Sequence, residues 1–229
     1  VKSEAICKEN FKTTIYDYDL AILAKFSTES HVLKEWIEHH LLEGVQHFYL
    51  INQNSTDDFL TILQPYMDKN IVEVKTSIDN NDLSKNYNEL FAEKCKRETK
   101  WLLVCNLDEF VYSTKKKRII DYLNMLPGEV SQIYLFSKYF GSNSQIHQPK
   151  SVIKGFQKRI NYNKKGGFQS VLLEHNPENS TCKYIVRTKH MVRLDTFKAF
   201  VSNKSIEITS NNKYISPYTI CLLYTSPSP

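Results

Sequence analysis

Apolar residues fill positions 20–26 (LAILAKF) with almost no interruption, a run of strand length. After Ser27, Thr28, Glu29 and Ser30 the spacing changes. Leu33, Trp36, Ile37, His40 and Leu41 recur at helical period, and Gly44 supplies the stop. Residues 47–51 (HFYLI) predict a second short strand, followed by a polar turn at 52–58 (NQNSTDD) and a helical pattern through Phe59, Leu60, Ile62 and Leu63. The unit repeats once more: residues 71–74 predict a strand, and Leu83, Tyr87, Leu90 and Phe91 mark a helix reaching Glu98. Residues 101–112 (WLLVCNLDEFVY) are apolar on successive positions, as a parallel strand covered on both faces requires, and predict the central strand.

Strands alternating with helices predict an α/β fold with a mostly parallel sheet and right-handed crossovers. Ligands of such sheets bind beyond the carboxyl ends of the strands, where the loops at 27–30, 52–58 and 106–109 are expected to converge. Past Tyr112 the alternation is lost. Residues 119–126 predict helix and 132–140 strand, after which Gly141, Pro149, Gly155 and Gly166-Gly167 punctuate a β-rich C-terminal region. Residues 222–229 (LLYTSPSP) carry neither periodicity and read as a truncated or non-native tail. The expected division is an N-terminal extension at 1–19, one domain at 20–218 and the tail at 219–229.

Composition narrows the classes. In 229 residues, 41% hydrophobic and 24% charged, there is room for one core burying roughly 70% of the unfolded surface. Six glycines, seven prolines and no run near ~20 apolar residues exclude collagen-like, low-complexity and membrane-spanning readings. Five scattered cysteines without a CxxC pair read as small buried hydrophobes rather than a zinc or redox site. The sequence begins at Val1, so localisation stays open: a Golgi membrane anchor upstream if the source is eukaryotic, the cytoplasm otherwise. Sequons at Asn54, Asn179 and Asn203 would matter only in a secretory compartment.

Asp108 and Glu109 stand at the end of the most hydrophobic run, where carboxylates are costly unless solvated, hydrogen-bonded or bound to a cation. Two readings stand level: Asp108 anchoring a divalent metal with a diphosphate, or strand-end acids closing the next turn. The 52–58 loop suits a base or ribose, but taken alone the pattern favours a helix N-cap by Ser55 or Thr56 with Asp57 and Asp58 favouring the helix dipole. Glu29 has the same two readings. The basic run at 115–118 reads as a solvated loop, and without an RNA-module or zinc-finger signature no nucleic-acid partner is expected. His39 and His40 are adjacent, cannot face one metal from a helix, and read as surface and interface residues. GxGxxG, GxxxxGK[ST] and GxSxG patterns are missing, which disfavours dinucleotide, P-loop and serine-hydrolase chemistry.

Five segments, in order, resemble the GT-A-type glycosyltransferases of family 92 and the related family 2 group. They are Phe26-Ser27-Thr28-Glu29 with 33–40 (LKEWIEHH) and Gly44-Val45; His47-Phe48-Tyr49-Leu50 with Asn54-Ser55-Thr56-Asp57; Lys100-Trp101-Leu102 with Leu107-Asp108-Glu109-Phe110; Phe140-Gly141-Ser142-Asn143 with Gln148-Pro149; and Lys183-Tyr184-Ile185-Val186-Arg187. The resemblance implies a GT-A-like domain with its acceptor side in the β-rich region, a UDP- or GDP-linked sugar donor, a glycan or glycoprotein acceptor, and Mn²⁺ or Mg²⁺ as cofactor. By position, Asp108 is the implied metal ligand, Asn106 stands at the first acid of the DxD-type motif, and Glu29, Asn52, Asn54 and Asp57 flank the nucleotide. Glu109 and Asp195 are the two candidates for the base that deprotonates the acceptor hydroxyl. The chain departs from the pattern at Asn106, where an Asp is usual, at Asn52, near which an acid is usual, at Ser144-Gln145 in place of Gly-His, and at Phe197, near which a His is usual. An amide carries no charge for a cation, so the alternative is a catalytically degenerate GT-A-like binding module.

Overall fold

A computed structural model describes residues 15–113, 117–141, 147–158, 183–202, 206–209 and 220–225. The expected alternation runs through the first half: β1 (Tyr18–Phe26), α1 (Ser30–Leu42), β2 (His47–Asn52), α2 (Phe59–Met67) and β3 (Val72–Thr76). The next helical stretch is α3 (Leu83–Tyr87), a π-helical segment (Asn88–Ala92) and α4 (Glu93–Glu98), leading into β4 (Thr99–Val104). Then follow β5 (Glu109–Ser113), α5 (Ile119–Leu123), β6 (Val130–Phe140), α6 (Val152–Gly155), β7 (Lys183–Arg187), β8 (Met191–Leu194), β9 (Ala199–Val201), β10 (Ile206–Thr209) and β11 (Ile220–Thr225).

The main sheet has the order β3-β2-β1-β4-β7-β6-β11-β5, with β10 also beside β6. Strands β3, β2, β1 and β4 are mutually parallel. Beyond them the sheet is mixed: β7 is antiparallel to β4 and β6, and β11 is parallel to β6 and antiparallel to β5. Strands β8 and β9 form a separate antiparallel pair.

Successive apolar residues serve two cores. On β1, Leu20, Ile22, Ala24 and Phe26 enter one core with Leu33, Trp36 and Ile37 of α1, while Ala21 and Leu23 enter the other with Tyr87 and Phe91. Strand β4 divides the same way, Trp101 and Leu103 against Leu102 and Val104. A strand buried on both faces has no polar face to write into its sequence. Gly44 ends α1 at φ 96°, and an added Cβ would collide with the Ile120 side chain, so glycine is required twice over.

Three expectations are corrected. The apolar run 101–112 is two strands, not one: β4 ends at Val104, and β5 starts at Glu109 on the opposite edge of the sheet. Glu109 N–H donates to Asn106 O at 3.2 Å and closes the turn between them. Next, His39 and His40 are not simple surface residues. Helix α1 lies along the outer edge of β5, where Trp36 Nε1–H donates to Glu109 O (2.9 Å), Val111 N–H donates to His40 Nε2 (3.2 Å) and His39 Nε2 bonds Val111 O (2.8 Å). The Glu43 carboxylate takes the backbone of Ser113 and Ile119. Side chains spaced 36, 39, 40, 43 thus replace a missing neighbour strand, which leaves this edge satisfied. Last, the stretch 222–229, expected to lack strand structure, enters the sheet: residues 220–225, within the expected tail at 219–229, form β11, because β6 and β5 offer backbone partners on both sides.

Cys95 and Cys105 are free and buried, as expected of small hydrophobes. Of the basic run, Lys117 and Arg118 are exposed and Arg118 pairs with Asp121 at 3.1 Å; Lys115 and Lys116 lie outside the described residues. So do Ser144, Gln145, Gly166, Gly167, Asn179 and Asn203. Among the described residues no helix is long and apolar enough to cross a membrane.

Candidate functional site

The ends of β1 and β2 are tied together by side chains. Ser27 Oγ donates to Gln53 O (2.9 Å), Thr28 N to Ser55 Oγ (2.9 Å), and Ser30 N to Asp57 Oδ2 (2.7 Å). Ser55 N in turn donates to Asn52 Oδ1 three residues back (2.9 Å), closing a turn in which Asn54 takes φ 54°, a conformation Asn tolerates. Neither Ser55 nor Thr56 caps α2. Its N-cap is Asp58, whose carboxylate accepts from Thr61 Oγ1 (2.7 Å), while Asp57 serves the first turn of α1 instead. The β3–α3 loop joins through Gln53 Nε2, which donates to Asn80 O (2.8 Å). Buried Asn86 braces that loop, accepting from Ile78 N (2.8 Å) and donating to Asp82 O (3.0 Å).

Glu29 is the N-cap of α1, and its Oε2 accepts from Ser27 N at 3.0 Å. Its carboxyl is pushed up from the ordinary range, first by burial and then by the charge of Asp108. That coupling brings the loop after β1 and the turn after β4 into one electrostatic site. Asp108 is half-buried.

Behind Asp108 the turn is held by a buried ion pair. Glu109 Oε2 accepts from Asn106 N (2.6 Å) and lies 3.8 Å from Lys183 Nζ, with side-chain exposures of only 3% for Lys183 and 2% for Glu109. Lys183 Nζ also donates to Asn106 Oδ1 at 3.3 Å. Burial raises the Glu109 carboxyl to about 7, against the lowering pull of Lys183 and of the Asn106 N–H.

The hairpin tip at 195–198 covers the same end of the sheet. Tyr184 OH donates to Asp195 O (2.6 Å), and Lys183 Nζ stands 5.4 Å from the centre of the Phe197 ring. The Asp195 carboxylate accepts from Thr196 N (2.7 Å), lies 4.0 Å from Arg193 Nη2 and keeps 39% exposure. Asn88, first residue of the π segment, docks the hairpin: it donates to Leu194 O (2.8 Å) and accepts from Leu194 N (3.0 Å). Local π geometry recurs where a helix must aim a side chain off register.

Sequence reasoning singled out Glu29, Asn52, Asn54, Asp57, Asn106, Asp108, Glu109 and Asp195. The fold brings the first six to one end of the parallel strands, turns Glu109 inward and sets Asp195 on the hairpin above β7. It missed Lys183 and Asn88. A lysine opening the apolar strand 183–187 (KYIVR) was a visible signal for the first; nothing marked the second.

Half-buried carboxylates, amide groups and hydroxyls at parallel strand ends suit a polyhydroxylated ligand. The profile of glycosyltransferase family 92 matches residues 23–218, most of the chain. The chain belongs to glycosyltransferase family 92. Among curated proteins none matches. Solved structures similar to this family 92 chain include S. aureus TarS 1-349, at 15% identity and TM-score 0.50, covering 91% of this chain and 61% of that one. S. aureus TarS is similar at 13% identity and TM-score 0.53, covering 91% of this chain and 37% of that one. The chain thus spans less than two thirds of the solved structures it matches. The likeness is one of fold: a GT-A-like mixed sheet flanked by helices.

Proposed function

We propose that this family 92 chain is the GT-A-like domain of a glycosyltransferase moving a sugar from a UDP- or GDP-linked donor to a hydroxyl of a glycan or glycoprotein acceptor. The observation that carries the reading is the meeting of Glu29, the 52–58 loop and the 106–108 turn at the carboxyl ends of β1, β2 and β4. Asn52 and Asp57 spend hydrogen bonds on building the loop, and so present Asn54 and the backbone around it to the nucleotide.

A divalent cation, Mn²⁺ or Mg²⁺, fits at Asp108. Among the described residues no three His, Cys, Asp or Glu side chains gather as a metal cage. Hard cations, however, commonly use one or two carboxylates and complete their shell with substrate phosphates and water. The charge coupling of Asp108 and Glu29 marks a place where a cation would relieve repulsion. When bound, the ion supplies charge that stabilises the departing nucleoside diphosphate. Of the two candidate bases, Asp195 has the exposure to meet an acceptor hydroxyl; Glu109, ion-paired and buried, holds the turn. Residues 20–218, with β11 completing the sheet between β6 and β5, carry the donor and acceptor sides as one domain.

Calorimetry with UDP and GDP, with and without Mn²⁺, tests the reading. Metal-dependent binding that Asp108→Ala removes while the far-UV spectrum stays unchanged is the expected result. Absence of binding with every nucleotide would refute it. The uncharged Asn106 and the Phe197 ring favour one alternative, a nucleotide-binding module without turnover; transfer of labelled sugar to a glycan acceptor by the binding-competent chain would exclude that.

A further inference from the structure

Asn106 is gripped at both its main chain and its amide by one buried ion pair. Its backbone N–H donates to Glu109 Oε2 at 2.6 Å, and its Oδ1 lies 3.3 Å from Lys183 Nζ. An ammonium group has donors and no acceptor, so the amide must turn its oxygen toward Lys183. The NH₂ group then faces the other way, and among the described residues none accepts from it. Lys183 itself cannot swing out to meet a ligand. It is 3% exposed, lies 3.8 Å from Glu109 Oε2 and has the Phe197 ring 5.4 Å away. A cation bound to Asn106 Oδ1 would share that oxygen with the ammonium and be repelled by it.

We propose that Lys183 is a positioning residue that fixes the polarity of position 106. With its oxygen held by the ammonium, Asn106 offers only N–H groups, and it takes an oxygen acceptor of the bound nucleotide, a ribose hydroxyl or a diphosphate oxygen, with no share in holding a cation. The inference rests on the nucleotide-sugar reading above. It gives the departure from the usual acid a chemical consequence: the site trades a metal-facing charge for a donor to the ligand.

The test is calorimetric titration of whichever of UDP and GDP the wild-type chain binds, in Mn²⁺ and in EDTA. Its variants are Asn106→Ala, Asn106→Asp, the pair Lys183→Met with Glu109→Gln, and that pair combined with Asn106→Ala. The paired substitution removes the ion pair without stranding a buried charge. Each of the first three is expected to weaken binding about tenfold, the worth of one such hydrogen bond, and by the same factor in Mn²⁺ and in EDTA. The combined variant is expected to be no weaker than Asn106→Ala, because Lys183 acts through Asn106. A loss that vanishes with the 2′-deoxy nucleotide assigns the acceptor to ribose, and one that persists with inorganic pyrophosphate assigns it to the diphosphate. Tighter binding by Asn106→Asp in Mn²⁺ alone would give the position to the cation and overturn the proposal. Unchanged affinity in Asn106→Ala, or additive losses in the combined variant, would overturn it too. Wild-type chain that binds no nucleotide refutes the donor-site reading and this inference together, whereas a binding wild type with unaffected variants refutes this inference alone. Should the paired variant fail to fold, the two substitutions at Asn106, a half-buried position, still decide.

Discussion

The two halves of the candidate site are held by different physics. On the side of β1 and β2, neutral groups do the fastening: hydroxyls, the Asn52 side-chain amide and backbone amides, with one carboxylate on a helix N-terminus. On the side of β4 and β7 a single buried ion pair fastens the turn. Many modest bonds degrade gradually when one is lost, since each is worth about 1 kcal/mol. A buried pair fails all at once, because losing one partner strands the other charge in low dielectric. The first half can therefore drift in sequence more freely than the second.

Substitutions break that comparison in order of size. The largest effect belongs to the chemistry: in a transfer assay, Asp108→Ala is expected to lower kcat more than about a hundredfold with no shift in Tm. Next comes the ion pair. Lys183→Met alone should cost about 3–5 kcal/mol in chemical denaturation, while adding Glu109→Gln should restore most of it. Equal stability of the single and double variants would show that the pair does not govern this half.

A smaller effect is expected along the edge of β5. His40 is fully buried, accepts from Val111 N–H through Nε2 and bonds Trp36 O through Nδ1, so it is neutral; burial, then the neighbouring His39, holds its pKa well below the usual value. His40→Phe leaves the Val111 N–H without an acceptor and should cost about 1–3 kcal/mol. Below about pH 6.5 the unfolded chain takes up a proton that folded His40 refuses. The stability difference between wild type and His40→Phe should therefore be constant above that pH and shrink as pH falls through the range below it. A pH-independent difference between the two denaturation curves would overturn the neutral assignment.

The smallest effects belong to the neutral half and the surface. Asp57→Ala removes the acceptor at the first turn of α1 and should cost about 1 kcal/mol. Arg118→Ala, which breaks an exposed pair with Asp121, should leave the midpoint of the same denaturation measurement unchanged.

Much of this was legible in the chain alone. Strands β1 to β3 and helices α1 and α2 follow from local period and turn chemistry, because burial on one or two faces writes a pattern over a few residues. Their order implied a sheet with ligands at the carboxyl ends, and so pointed to the loops at 27–30, 52–58 and 106–109, within which the resemblance to family 92 picked out Glu29, Asn52, Asn54, Asp57, Asn106 and Asp108. The split of 101–112 was not legible. A strand buried from both sides and a strand covered by a helix and a neighbour are equally apolar, and only the pairing of β5 with β11 separates them. The roles of His39 and His40 escaped for a related reason: their partner, Val111, is a backbone unit about seventy positions away, and backbone groups leave no trace in side-chain pattern. Lys183 and Glu109 were each visible as charges beside apolar runs. That they neutralise one another, and so turn Asn106 toward the ligand as a donor, depended on β7 returning antiparallel against β4, a long-range choice made by the whole sheet. Sequence determined which segments are strands and helices and which residue types stand at their ends. Tertiary structure decided which of those ends meet, because that depends on burial and pairing energies summed over the fold rather than on any local stretch.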